Sequence, residues 1–195
     1  MNMPNKLTLM RVVLAPIFMV FFLYENFYLR LIGLGLFIIA ALTDMADGYY
    51  ARKYGIVTGF GKFMDPLADK VLVSSALVSF IALGFVSPIP VILIIGREFF
   101  ITGLRLLAAY RGVVIPPSWP AKVKTFLQMA VVGVVMAFIC LQTTLIHFES
   151  EARSLLEFDY RYYFNILLWV TAVWTVWTGI DYAVKYWYMI RTALK

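Results

Sequence analysis

The sequence is poor in the side chains that most often form cross-links or bind zinc. It contains one cysteine, Cys140, and one histidine, His147, among 195 residues. A single cysteine excludes a disulfide within the chain. Structural zinc sites take their ligands mostly from cysteine and histidine, so this composition argues against one. Charged residues are also scarce, at 14% of the chain, and the few that are present therefore require an explanation.

The hydrophobic content is far above that of an ordinary soluble domain. Hydrophobic residues make up 63% of the chain, against about half in soluble proteins, which predicts an integral membrane protein. The net charge is +6, but no soluble basic segment is available to bind nucleic acid, so a nucleic-acid partner is excluded. The length accommodates several membrane spans and leaves no room for a second domain. We therefore expect one membrane domain over residues 1–195.

The apolar runs predict an all-α fold with six transmembrane helices. At about 20 residues per span, these helices cover roughly residues 7–24, 30–50, 66–86, 89–110, 122–147 and 162–189. An even number of spans places both termini on one side of the membrane. Thirteen basic residues fall on that side and three on the other, with Arg97 inside a span, which predicts that the terminal side is cytoplasmic.

Four carboxylates interrupt this apolar pattern on the predicted cytoplasmic side. Asp44 and Asp47 are three residues apart, and Asp65 and Asp69 are four apart, so each pair shares a face if its segment is helical. Pro66 suits the first position of a helix that Asp65 would cap. One acid at the bilayer centre costs roughly 2.5–3.5 kcal/mol, a cost that divalent cations or nearby water would relieve. Ligands that are all oxygen favour Mg²⁺ or Mn²⁺ over zinc.

The four carboxylates belong to a longer pattern with fixed spacing. It is written D-x-x-D-G-x-x-A-R-x₈-G-x₃-D-x₃-D and is met by Asp44, Asp47, Gly48, Ala51, Arg52, Gly61, Asp65 and Asp69. This pattern resembles the signature of the CDP-alcohol phosphotransferases, whose membrane fold the resemblance therefore implies. An alternative is that the acids only form stabilising pairs with neighbouring basic residues. Eight fixed positions make a chance match a poor explanation.

The resemblance implies a role for each residue of the pattern. Two divalent ions, Mg²⁺ or Mn²⁺, would be held by Asp44, Asp47, Asp65 and Asp69, and Asp69 would also accept the proton of the attacking alcohol. Small residues let a nucleotide approach the helix backbone, and arginine offers a planar fork to phosphate. The predicted contacts to the CDP-linked lipid are Asn5, Thr8, Asp47, Gly48, Ala51, Arg52 and Gly61. For the first two, a helix cap at Asn5 and a backbone bond from Thr8 are the alternatives.

A second group of polar residues lies in the fourth and fifth predicted spans. Arg97 and Glu98 are deep enough in a span that each is expected to have a partner. Basic residues near them would suit an acceptor that carries a phosphate, although charges on the cytoplasmic rim are an alternative explanation. The predicted acceptor-phosphate residues are Arg105, Arg111, Lys122, Lys124 and Thr125.

These two spans resemble one bacterial branch of the same family. The resemblance is carried by R-E-x-x-I-x-G-L-R at Arg97–Arg105 and by K-x-K-T-x-x-Q at Lys122–Gln128. It implies transfer of a phosphatidyl group from CDP-diacylglycerol to sn-glycerol 3-phosphate in the bacterial cytoplasmic membrane, by a homodimer surrounded by membrane lipids.

Other functions remain open from the sequence. Serine, inositol phosphate or phosphatidylglycerol would be alternative acceptors, and the basic residues argue mainly against serine. An intramembrane prenyltransferase also uses acidic motifs and Mg²⁺, but those motifs would be far apart on a longer chain. A magnesium transporter would need acids inside a span without the fixed glycine, alanine and arginine.

Overall fold

Most of the part of the chain that the structure describes is helical. The computed structural model describes residues 3–54, 59–112, 119–149 and 159–188, and within these the side chains of 3–5, 44–54 and 59–63 are not described. The helices are α1 (Met3–Leu23), α2 (Phe27–Tyr54), α3 (Gly59–Ala82), α4 (Pro88–Tyr110), α5 (Trp119–His147) and α6 (Tyr160–Lys185). The prediction of an all-α membrane protein is therefore confirmed in its fold class.

Membrane-spanning capacity is clearest for three of the described helices. Residues 6–23 of α1 and all of α5 and α6 are long and apolar enough to cross a bilayer, and Phe27–Thr43 is a shorter apolar helical stretch. The motif lowers the hydropathy of α2 and α3, because it places charged residues inside otherwise apolar helices. Six spans therefore stay a prediction.

The contacts divide the chain into two compact units. Unit 1 comprises Met1–Phe85 with Val132–Tyr160, and unit 2 comprises Val86–Val131 with Arg161–Lys195. Unit 1 thus contains α1, α2, α3 and the second half of α5. Unit 2 contains α4, the first half of α5 and nearly all of α6.

An aromatic core holds the helices of unit 1 together. The ring of Phe18 lies 5.4 Å from that of Phe22 and 5.3 Å from that of Phe37, and Phe22 meets Phe80 of α3 at 6.4 Å. Close helix contact is possible because Gly33 lies directly against the backbone of Phe22. These contacts join α1, α2 and α3 at the end remote from the acidic motif.

Unit 2 is built on a regular buried stripe along each helix. The buried residues of α4 recur every three or four positions from Val91 through Ile94, Glu98 and Ile101. At the start of α4, the backbone N–H of Ser87 donates to the side-chain oxygen of Asn165 at 2.8 Å. This contact fixes the beginning of α4 against α6.

One predicted helix boundary was wrong. The sequence predicted that Asp65 caps a helix beginning at Pro66, but α3 begins at Gly59 and contains Pro66 in its interior. Proline lacks the N–H that bonds the previous turn, which is why it favours a helix start. Membrane helices tolerate internal proline better than soluble ones, and α1 also contains one, Pro16.

Candidate active site

The acidic motif is distributed evenly about the connection between α2 and α3. Asp47 lies seven residues before the last residue of α2, and Asp65 lies six residues after the first residue of α3. Asp44 and Asp69 are each ten residues from the same helix ends. At a rise of about 1.5 Å per residue, the members of each pair stand at nearly equal distances from the connection. Consecutive helices with a short connection run antiparallel, which brings such positions to the same level.

The two acids of α3 have described side chains with different partners. The hydroxyl of Thr8, on α1, donates a hydrogen bond to Oδ1 of Asp65, whose side chain is half-buried. Oδ2 of Asp69 lies 3.0 Å from Nζ of Lys70, and the Asp69 side chain is 40% exposed. Their spacing of four residues places both carboxylates on one face of α3. Asp65 is thus held by α1, whereas Asp69 remains accessible.

Several predicted site residues lie outside the described side chains. Their surroundings are therefore not described. They belong to α1 (Asn5), to α2 (Asp44, Asp47, Gly48, Ala51 and Arg52) and to the first turn of α3 (Gly61). The helix α1 begins at Met3, so the alternative in which Asn5 caps that helix is wrong.

The donor chemistry of the motif fits a divalent metal ion. Among the side chains that the structure describes, no three acids, histidines or cysteines converge. Asp65 and Asp69 nevertheless offer carboxylates on one face of α3, and residues 44 and 47 lie at matching distances along the backbone of α2. Hard cations such as Mg²⁺ prefer this kind of ligand. The residues present therefore suit the ion that the motif implies.

Most of the predicted acceptor-phosphate residues are exposed in unit 2. Arg105 and Arg111 lie at the end of α4, and Lys122 and Thr125 lie near the start of α5. The Thr125 hydroxyl donates to the carbonyl of Ala121 at 3.1 Å. Three cations and a hydroxyl are thus accessible in this unit.

Lys124 differs from the other candidates because it is buried. Its Nζ donates to Oε1 of Glu98, and both side chains are only 4% exposed. Nη1 of Arg97 lies 3.2 Å from the same oxygen, and Nη2 donates to the hydroxyl of Thr178 at 3.3 Å. One carboxylate therefore serves two cations, and the expectation that Arg97 and Glu98 have partners is confirmed.

A polar stripe on α6 was not predicted from the sequence. Thr171, Thr175, Thr178 and Tyr182 are all buried, at spacings of four, three and four residues. Thr178 contacts Arg97, as described above. A helical repeat of hydroxyl-bearing residues in an apolar segment was the signal that could have identified this stripe.

Comparison with known proteins extends over nearly the whole chain. The profile of the CDP-alcohol phosphatidyltransferase family matches residues 1–177. A Bacillus subtilis protein named CDP-diacylglycerol–glycerol-3-phosphate 3-phosphatidyltransferase is 40% identical, and the match covers 98% of each chain. A Rickettsia felis protein of the same name is 38% identical over 93% of each chain. A Mycobacterium tuberculosis protein named probable phosphatidylglycerophosphate synthase is 38% identical, covering 79% of this chain and 82% of its own.

Proposed function

We propose, since this chain belongs to the CDP-alcohol phosphatidyltransferase family, that it transfers the phosphatidyl group of CDP-diacylglycerol to sn-glycerol 3-phosphate. The products are phosphatidylglycerol phosphate and CMP. The observation that carries this proposal is the 40% identity, over 98% of both chains, to a relative named for that reaction. The basic residues of unit 2 agree with an acceptor that is itself a phosphate.

The chemical step is a displacement at phosphorus. A glycerol 3-phosphate hydroxyl attacks the phosphorus that bears diacylglycerol, a new P–O bond forms, and the bond to CMP breaks. We assign Asp69 to accept the hydroxyl proton, because its carboxylate is accessible and lies one helical turn from Asp65. A carboxylate near cations is a weak base, so its position relative to the hydroxyl does most of this work.

The motif carboxylates supply the metal site in this proposal. The family generally uses divalent metal ions. We assign two ions, Mg²⁺ or Mn²⁺, to Asp44, Asp47, Asp65 and Asp69; when bound, such ions neutralise charge on the attacked and leaving oxygens. Asn5, Asp47, Gly48, Ala51, Arg52 and Gly61 are assigned to the CDP-lipid, because small residues admit the nucleotide and the guanidinium suits its phosphates.

The acceptor phosphate is assigned to the basic residues of unit 2. Arg105, Arg111 and Lys122 are exposed and can approach a dianionic phosphate, and Thr125 adds a hydroxyl. Lys124 would act through its charge, because its side chain is buried against Glu98. Arginine and lysine differ here, because the arginines can form two parallel hydrogen bonds to phosphate and lysine acts as a point charge.

The distribution of charge in the sequence supports a particular membrane arrangement. We propose a multi-pass protein of the bacterial cytoplasmic membrane with six spans, both termini and the motif on the cytoplasmic side. CDP-diacylglycerol would reach the site from the surrounding lipid, and glycerol 3-phosphate from the aqueous side. A homodimer is proposed by analogy with the family.

Release of CMP by the purified protein tests the reaction. Each reaction contains CDP-diacylglycerol and Mg²⁺ or Mn²⁺ with one acceptor: glycerol 3-phosphate, serine, inositol phosphate or phosphatidylglycerol. We expect CMP release with glycerol 3-phosphate and a matching lipid product bearing two phosphates. Reactions without acceptor or with EDTA serve as controls. Release of CMP with a different acceptor but none with glycerol 3-phosphate would overturn the assigned substrate and leave the family chemistry intact.

A further inference from the structure

The buried face of α1 is polar at one end. Along this face lie Thr8 and Arg11, followed by Ala15, Phe18 and Phe22, each three or four residues from the last. Thr8 is 1% exposed, Arg11 is fully buried, and the apolar members pack in the aromatic core. The polar end is the part of α1 that reaches Asp65 on α3. The buried residues at this end of α1 therefore make polar contacts and lie outside the aromatic core.

The hydrogen bond of Thr8 is unusual among the helical threonines. Thr43, Thr125, Thr143, Thr144 and Thr171 each donate to the backbone carbonyl four residues earlier in their own helix. That local bond is the default for a threonine inside a helix. The hydroxyl of Thr8 donates to a carboxylate on another helix, 57 residues away in the sequence.

We propose that Thr8 is a positioning residue for the metal site, acting through Asp65. This inference rests on the proposed function in taking Asp65 as a metal ligand. One hydrogen bond uses one of about four acceptor positions of a carboxylate, so Asp65 retains capacity for an ion. Groups that hold a ligand in place typically change metal affinity 10–100-fold when they are removed. Thr8 suits this role because its branched side chain has few rotamers and is completely enclosed.

This role differs from the one that the sequence predicted for Thr8. A direct contact with the CDP-linked lipid requires an accessible hydroxyl, whereas Thr8 is buried and its proton goes to Asp65. The two roles predict different experimental results. Loss of a lipid contact raises the KM of CDP-diacylglycerol, whereas loss of a positioning bond weakens metal binding before any substrate is present.

Manganese binding to the purified protein without substrate provides the test. Electron paramagnetic resonance reports free Mn²⁺ during titration of the wild type and of the variants Thr8→Val, Thr8→Ser and Thr171→Val. Valine keeps the shape of threonine and removes the hydroxyl, and serine restores the hydroxyl. Thr171→Val is the matched control, because Thr171 is also buried but bonds only to the carbonyl of Leu167 among the contacts described. Thermal unfolding of each variant confirms that it is folded.

We expect the dissociation constant for Mn²⁺ to rise about tenfold in Thr8→Val. It should stay close to the wild-type value in Thr8→Ser and in Thr171→Val. In turnover assays, Thr8→Val should raise the Mn²⁺ concentration needed for half-maximal rate more than the KM of CDP-diacylglycerol. Wild-type Mn²⁺ affinity in Thr8→Val, or equal losses in the valine and serine variants, would overturn the proposal. If the proposed acceptor substrate were wrong, the Mn²⁺ titration would give the same result, because no substrate is present in it.

Discussion

Charge is handled in opposite ways in the two units. In unit 1, acids accumulate within one stretch of sequence, and the Asp65 carboxylate is held by the neutral hydroxyl of Thr8. In unit 2, cations from α4 and α5 share the buried carboxylate of Glu98. A neutral partner leaves the charge of the acid available for an ion, whereas a carboxylate cancels part of the charge beside it. The acids of unit 1 therefore agree with the proposed cation site, whereas unit 2 has two largely buried cations, Arg97 and Lys124, and an exposed group.

The largest effect on activity is expected for Asp69, the acid that we assign to accept the proton of the attacking hydroxyl. Asp69→Asn keeps the shape of the side chain and removes its ability to accept a proton. We expect kcat to fall by roughly 10³-fold, within the range for general base catalysis, while binding of CDP-diacylglycerol stays largely intact. Turnover and equilibrium binding are measured on the same preparation. Asp159→Asn is the control, because Asp159 is an exposed acid outside the motif. Full activity in Asp69→Asn would contradict the assignment of the base.

Breaking the buried ion pair between Glu98 and Lys124 should lower the free energy of unfolding. Glu98→Gln leaves Lys124 and Arg97 buried beside a neutral amide, and removal of one partner of a buried ion pair costs about 3–5 kcal/mol. We expect this loss in the free energy of unfolding, and a partial recovery when Lys124→Met is added. Glu25→Gln is the exposed control.

The KM of the acceptor, measured in the same variants, tests whether the charge of Lys124 serves the acceptor phosphate. If Lys124→Met raises the KM of the acceptor while the Glu98→Gln/Lys124→Met variant is folded, its charge serves the acceptor phosphate. An unchanged KM in the folded double variant would limit Lys124 to a structural role. A wild-type free energy of unfolding in Glu98→Gln would contradict the buried pair itself.

The acids of unit 1 could be grouped from the sequence because their signal is local. The motif lies between Asp44 and Asp69, and helical spacing alone groups its acids into pairs. It could not predict the start of α3, because proline at position 66 is the usual sign of a helix beginning and tertiary packing overrides that sign. Nor could it predict that Thr8 bonds to Asp65, since the two are 57 residues apart.

In unit 2, the sequence identified the cations without their environments. Lys122 and Lys124 are two residues apart, which on an α-helix is about 200°, so they point in nearly opposite directions. Both cannot face the same way, and the structure shows that Lys124 is the one that faces inward. Val123 lies between them in the sequence, and the position of Glu98 on α4 distinguishes the two faces.

The exposed group of unit 2 should affect acceptor binding selectively. Lys122→Ala or Arg105→Ala removes a charged contact to phosphate, worth roughly 1.5–3 kcal/mol, so the KM for glycerol 3-phosphate should rise at least about tenfold. The KM for CDP-diacylglycerol should change much less. Lys185→Ala is the control, because Lys185 is an exposed cation at the end of α6 in the same unit. Equal increases for both substrates, or in the control, would make these residues general surface charge.

The smallest effects concern the glycines that allow close packing in each unit. A Cβ on Gly33 would lie 3.0 Å from the backbone nitrogen of Phe22, whereas one on Gly179 would lie 3.0 Å from Cγ and 3.1 Å from Nε of Arg97. A helix backbone cannot move locally, but a long side chain can rotate away. Crowding of this kind costs about 1–3 kcal/mol, and alanine returns up to about 1 kcal/mol through its higher helix propensity.

We therefore expect Gly33→Ala to lower the free energy of unfolding by about 1 kcal/mol and Gly179→Ala to lower it by less. Gly35→Ala is the control, because a Cβ there meets nothing within 4 Å and should be neutral or stabilising. The methyl group added in Gly179→Ala would also press on Arg97. If Arg97, Glu98 and Lys124 act together, this variant should reduce the coupling energy between Glu98 and Lys124, which their single and double variants measure. A larger loss from Gly179→Ala than from Gly33→Ala would mean that Arg97 is held as rigidly as backbone. The buried pair would then be the more rigid feature, and the aromatic core of unit 1 the more adaptable one.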